Sequence, residues 1–207
     1  ADRAYRVLEE RIVTLALAPG AVLSEATLAA DLGMEGTPVR AALRRLEREG
    51  LVCMSEGDGP RVSDIDAMSQ LRLLEVRRRV EGLTAALAAR RATPEQRERF
   101  RALDRSFREV VSHEDEIVFL RLDRALNQLL PEAAHNPYCA PMMAMIEGLA
   151  RRFFYRNRAA LDLGLTARLH ARIAAAVADG GEVEAEAAVM ALLDYNERFA
   201  LGSLRRA

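Results

Sequence analysis

Residues Leu23–Val52 read LSEATLAADLGMEGTPVRAALRRLEREGLV, two helical stretches joined by a tight turn. In the first, Leu28 and Leu32 stand four residues apart on one face, and Gly33 closes the stretch as a residue free to take positive φ. In the second, Thr37 is a good N-cap and Pro38 falls where a missing N–H does no harm, while Val39, Leu43 and Leu46 recur at helical spacing to dock the helix. The opposite face carries Arg40, Arg44 and Arg48. A helix-turn-helix is built this way, and the early residues of its second helix enter the major groove. Arg40 is then placed to reach a base edge or a phosphate, and Arg44, Arg45 and Arg48 to serve the DNA backbone. An arginine run on a helical hairpin is equally what a solvated surface carries, so the hairpin by itself leaves both readings open.

The flanks favour the first. Gly50, Leu51 and Val52 end the helix and open a short β-type run, SEGDGP makes a turn, and Arg61, Val62 and Ser63 resume an extended pattern, together a small β-wing. Upstream, the segment from Tyr5 to Leu17 puts Leu8, Ile12 and Leu15 on one helical face, and Pro19 and Gly20 stop it. Three helices and a two-stranded wing are therefore expected over residues 1–65.

The chain has 207 residues, half of them apolar, enough for one large or two small domains. No apolar run approaches the roughly 20 residues of a membrane span, and the start lacks the basic, apolar and small-residue order of a signal peptide. A cytoplasmic protein without a membrane partner is expected. Cys53 and Cys139 are too few and too far apart for a disulfide framework or zinc cluster, and both are expected to be buried. Formal net charge is −1, and residues 1–64 hold eight arginines against eleven acidic residues. DNA-binding domains are more often basic. Only charges facing phosphates exchange counterions, so the expectation is modest affinity with strong salt dependence.

From Asp66 onward the period is helical, broken only at brief polar, Pro or Gly positions. Six helices are predicted, near 66–91, 94–111, 115–130, 137–161, 166–179 and 182–205. The fold class is mainly α: a winged helix-turn-helix over 1–65, followed over 66–207 by an antiparallel bundle of six helices, or of seven. The junction near Ser63–Asp66 is short, which predicts a fairly stiff connection. In the bundle Asp123 and Asn127 share a helix face amid leucines, where a polar pair needs a partner, and His170 stands in the otherwise apolar run LHARIAAAV.

The string from Leu23 to Val52, preceded by LALAPGAVL, resembles the winged helix-turn-helix of the GntR superfamily of bacterial transcription regulators. LEVRRRVEGLTAALAA, FLRLDRALNQLL, AAHNPYCAPMM and RLHARIAAAVADGG are similar to the all-helical, FCD-type ligand-binding domain of its FadR group, and six helices suit the smaller, VanR-like branch. The likeness covers almost the whole chain. It implies a homodimeric repressor, less often an activator, whose two heads read the half-sites of an inverted-repeat operator in double-stranded DNA. A small organic acid bound in the helical domain would shift the spacing or orientation of the heads.

The resemblance also assigns residues. Family members commonly bind a divalent metal through an aspartate and a histidine four residues apart, a histidine opening a later helix and a third in the last helix. Asp123 and His170 match two of these, while Asn127 and Leu192 replace the others. One carboxylate, one amide and one imidazole are a poor set for zinc or nickel, so a metal on Asp123 and His170 is disfavoured and no cofactor is certain. Two readings follow: His170 and Asn127 hydrogen-bond as structural groups inside the bundle, or the pocket survives and holds its effector directly, with Asp123, Asn127 and His170 on its wall. Arg77 matches an arginine that commonly faces the cavity, and Arg151 and Arg152 lie on the helix near 137–161. An arginine fork suits a carboxylate, hence the organic acid. In the head, two arginines that the family uses on DNA are here Ala26 and Gly36, while Arg40 is retained, Thr37 stands in the TP pair and Gly59 matches the wing glycine. A good bidentate base contact is worth roughly 1–3 kcal/mol, so the site read should differ or binding should be weaker, with Arg44, Arg45, Arg48 or Arg61 in compensation. Two other classes follow from the same residues. One is a sensor or interaction protein that has lost specific DNA binding, suggested by Ala26, Gly36 and the acidic head. The other is a helical enzyme using Asp123 and His170, which lacks any nucleophile motif or phosphate loop, so a non-enzyme is expected.

Overall fold

The computed structural model describes residues 2–55, 59–113 and 115–205. Its elements are α1 (Asp2–Val13), α2 (Glu25–Leu32), α3 (Gly36–Arg48), β1 (Val52–Ser55), β2 (Gly59–Val62), α4 (Ala67–Arg91), α5 (Pro94–His113), α6 (Glu116–Ala133), α7 (Cys139–Arg156), α8 (Leu163–Asp179) and α9 (Glu182–Leu204), with a short 3-10 turn at Arg158–Ala160. They form two compact units, Ala1–Gln70 with Ala144–Arg158, and Leu71–Met143 with Ala159–Ala207. The first unit thus takes in a stretch of α7 far outside the span 1–65.

In the first unit, the head, Leu8 and Ile12 of α1, Leu28 of α2, and Val39, Leu43 and Leu46 of α3 meet in one core with Leu51, Val52 and Val62. Ser24 caps α2 by accepting from Thr27 N at 3.3 Å, and Gly33 ends it at φ 60°. Two details differ from expectation. Helix α1 stops at Val13 and Leu15 takes φ 60°, which removes it from the α1 face. Helix α3 starts two residues earlier than expected, with Glu35 at the cap, so Thr37 lies in the exposed first turn instead of capping it.

The wing pairs Val52 with Val62, Cys53 with Arg61, Met54 with Pro60 and Ser55 with Gly59 in antiparallel register. Of the turn expected over SEGDGP, residues 56–58 lie outside the described residues. Residues 20–23 extend the wing, with Leu23 N donating to Pro60 O (2.7 Å) and Val62 N to Ala21 O (2.9 Å). Strand alternation sends Val52 inward and Cys53 outward, so Cys53 is exposed, contrary to expectation, while Cys139 is buried.

The second unit holds the helical bundle, whose core includes Phe100, Phe107, Leu126, Leu129, Ile173 and Leu193. Helix starts follow capping chemistry: Asp115 accepts from Val118 N, Asp162 from Leu165 N, and Thr93 and Gln96 exchange side-chain and backbone bonds. Helix α6 runs through Pro131 to Ala133, where a break was expected at Leu130, because a proline near a helix end removes only one ladder bond. Helices α4 and α9 run antiparallel, tied by Arg78 to Asp194 (2.7 Å) and Glu197 (2.8 Å) and by Arg90 to Glu182 (3.4 Å). A Cβ at Gly82 would come within 2.9 Å of Met190 Cε, so glycine permits that approach. Among the described residues no helix is long and apolar enough to cross a membrane.

Candidate functional site

The exposed row of α3 is formed by Thr37, Arg40, Arg44 and Arg48, opposite the buried row Val39, Leu43 and Leu46. Arg40 Nε donates to both carboxylate oxygens of Glu25, at 2.9 and 3.2 Å. Arg44 and Arg48 have no hydrogen-bond or ion-pair partner among the described residues. Arg45, expected on DNA, turns the other way. Its guanidinium lies 3.6 Å over the Tyr5 ring and donates to Glu49 (3.0 Å), which also accepts from the Tyr5 hydroxyl (2.8 Å). Burial, and then the bond to Glu49, hold the Tyr5 phenol well above its ordinary pKa. Arg45 is a brace between α1 and α3. Arg61 is likewise engaged, donating to Gly20 O at 2.9 Å and fastening the wing to residues 20–23. Gly59 opens β2 at φ 79°, a conformation that suits glycine and places a bare backbone at the wing tip.

The part of α7 within the head is equally specific. Arg151 forms a buried pair with Glu9 of α1 at 3.1 Å. Arg152 donates to Ser63 O (2.9 Å) and Asp64 O (2.8 Å), and Arg156 to Ile65 O (3.1 Å). Burial lowers the Arg152 guanidinium to about 10, which still leaves it charged at neutral pH. Leu51 packs so closely on α7 that a Cβ at Gly148 would lie 2.8 Å from Leu51 Cδ1. Arg151 and Arg152, read from the sequence as arginines of the effector domain, thus meet Glu9, Ser63 and Asp64 in the first unit.

In the helical unit Asp123, Asn127 and His170 do come together. Asp123 Oδ1 lies 3.2 Å from His170 Nε2 and accepts from Asn127 Nδ2 at 3.0 Å. His170 Nδ1 faces Thr166 O at 2.7 Å, so it carries a proton. Both ring nitrogens thus face acceptors. Phe107 and Phe119 flank the imidazole, each ring centroid 5.3 Å away. Arg77 is buried too, paired with Glu81 one turn on through Nε and Nη2, with Nη1 left without a hydrogen bond.

Residues 1–62 match the family described as bacterial regulatory proteins, gntR family, and residues 72–195 match the FCD domain. This chain belongs to the GntR family and carries an FCD domain. The family is one of transcriptional regulators. An HTH-type transcriptional regulator in an unstable DNA locus of Streptomyces ambofaciens is 48% identical over 62 residues, 30% of this chain and 26% of that protein. The HTH-type transcriptional regulator YdhC of Bacillus subtilis is 23% identical over 146 residues, 70% of this chain and 65% of that protein. The matches thus span less than two thirds of either curated relative. Among solved structures, Escherichia coli McbR/YncC superposes with a TM-score of 0.80 at 18% identity, covering 98% of this chain and 97% of that one. A GntR transcriptional regulator from Rhodococcus sp. RHA1 gives 0.71 at 23% identity, covering 98% and 99%. At these identities the likeness is one of fold.

The FCD domain of this chain does not fit a divalent transition metal. Asp123 and His170 already satisfy each other, the Asn127 amide donates into the same carboxylate oxygen, and Leu192 is a buried aliphatic side chain. Among the described residues no group of three or more His, Cys, Asp or Glu side chains is placed to hold one. Several residues that shape the GntR head and the FCD interior are absent from the sequence reading. Glu81 sits four residues after Arg77, and Thr166 four before His170, spacings that a helix makes adjacent. Glu25, Tyr5, Phe107 and Phe119 reach their partners only through tertiary packing.

Proposed function

We propose that this protein is a DNA-binding transcriptional regulator whose exposed α3 row enters the major groove, with Arg40 at the base edges and Arg44 and Arg48 on phosphates. The observation that carries this reading is the division of labour on α3. One face is buried in the head core, and the other presents Thr37, Arg40, Arg44 and Arg48 to solvent. Arg45 and Arg61 are left out of the interface, because each is spent on holding the head together. The protein acts as a homodimeric, cytoplasmic repressor of the FadR group on an inverted repeat. The apolar seam Leu73, Val76, Val80, Leu83 and Leu87 along α4 alternates three- and four-residue steps, and Val76 and Leu83 on it are exposed, a pattern suited to a second helix. The effector is a small organic acid held in the FCD domain by the unpartnered Nη1 of buried Arg77, since Glu81 takes the other edge of that guanidinium.

Selection from a randomised duplex library by the full-length protein, repeated at several salt concentrations, tests the regulator reading. An inverted-repeat consensus with affinity falling steeply in salt is expected. No sequence preference at any salt overturns it, in favour of a sensor that no longer reads DNA.

A further inference from the structure

A long arginine on an open helix face samples many rotamers, whereas reading a base edge requires a guanidinium held in one plane. One arginine of the α3 row is so held. Arg40 Nε reaches both oxygens of Glu25, while its two Nη groups make no hydrogen bond among the described residues. Arg44 and Arg48, one and two turns on, have no such support among the described residues. Glu25 is itself well placed. It is the first residue of α2, directly after the Ser24 cap, where the helix dipole favours a carboxylate. A carboxylate on the Nε side leaves the Nη1–Nη2 edge on the far side of the group. That edge carries two parallel N–H donors, the pattern that meets O6 and N7 of guanine. The same carboxylate opposes a phosphate at this position, because it would face the DNA backbone with like charge.

Resting on the DNA-binding reading above, we infer that Glu25 is the positioning residue that makes Arg40 a reader of one guanine and not a general phosphate contact. The test uses the full-length protein and the duplex it selects from the randomised library, together with single base-pair changes in that duplex and an unrelated duplex. Wild-type protein loses about tenfold or more in affinity when the guanine read by Arg40 is replaced, and Arg40→Ala abolishes that discrimination. Glu25→Gln and Glu25→Ala reduce the discrimination at the same base pair to less than about threefold, leave other positions unchanged, and bind the unrelated duplex a few times more tightly. If Arg40→Ala flattens the preference and both Glu25 variants keep it, the inference about Glu25 fails while the placement of Arg40 stands. If the Glu25 variants raise affinity for every duplex equally with discrimination intact, Glu25 only repels DNA and the inference also fails. Discrimination that survives Arg40→Ala overturns the placement of Arg40 itself, and with it the role of Glu25.

Discussion

Two helices of the head, α3 and the second half of α7, carry arginines at similar density and use them differently. On α3, Arg40, Arg44 and Arg48 recur every fourth residue on the exposed face, and of the three only Arg40 has a partner among the described residues. On α7, Arg151, Arg152 and Arg156 are all engaged, with Glu9 and with the carbonyls of Ser63, Asp64 and Ile65. Arg45 shows that the helix does not decide the matter. It lies on α3, one position from Arg44, and behaves as the α7 arginines do because Tyr5 and Glu49 wait on its side of the helix. An arginine's task is thus set by what faces it across the core, and a run of arginines in a sequence is silent about that.

The comparison breaks most readily at Arg152. Its buried guanidinium donates to two carbonyls in the chain leaving the wing, at the half-buried Ser63 and the exposed Asp64. Arg152→Ala is expected to destabilise the head by about 1.5–3 kcal/mol, from the loss of hydrogen bonds made by a buried charged donor. Arg44→Ala, on the exposed row, should stay within about 0.5 kcal/mol. Denaturant titration of the full chain followed by circular dichroism gives both numbers. Equal losses for the two variants would mean that the α7 arginines hold nothing together.

A smaller effect sharpens the case of Arg45 through its neighbour Tyr5. The folded phenol has a pKa above its ordinary value of 10.0, so the folded head keeps a proton that the unfolded chain gives up first. That contribution to stability is complete below the ordinary value and is lost as pH rises through the folded one. Tyr5→Phe is expected to cost about 1 kcal/mol at neutral pH, from the lost bond to Glu49, and to flatten the decline in stability above about pH 10. Melting curves of both proteins between about pH 8 and 11 check this. The same decline in the Phe variant would place its origin elsewhere.

The parts of the fold that were legible are those written in local spacing. Leu28 and Gly33, Val39 with Leu43 and Leu46, and the six helices after Asp66 follow from periodicity and breakers that act within a few residues. Sites were less so. Asp123, Asn127 and His170 could be brought together because resemblance supplied the third dimension, whereas Phe107 and Phe119 around the imidazole are packing partners from other helices and carry no signal of their own. The pair of Glu9 with Arg151 joins residues 142 positions apart, and nothing near either one announces it. Arg77 with Glu81 is the instructive middle case. Its four-residue spacing was visible, yet whether such a pair lies in solvent or in the core depends on the helix that covers it.

The finest division concerns the exposed row alone. Arg40 is braced by Glu25 and Arg44 is not, so the two should differ in kind and not only in strength. A phosphate contact made by Arg44 contributes the same amount to every sequence, because the charge it neutralises is present at every step of the duplex. Arg44→Ala should then weaken binding to the selected duplex and to unrelated DNA by a similar severalfold factor and reduce the slope of log affinity against log salt by about one. The base preferences should be those of the wild type. Affinity measurements at four or five salt concentrations, made on both duplexes, separate slope from preference. A change in base preference at one position, with the slope unaltered, would mean that Arg44 shares the reading assigned to Arg40.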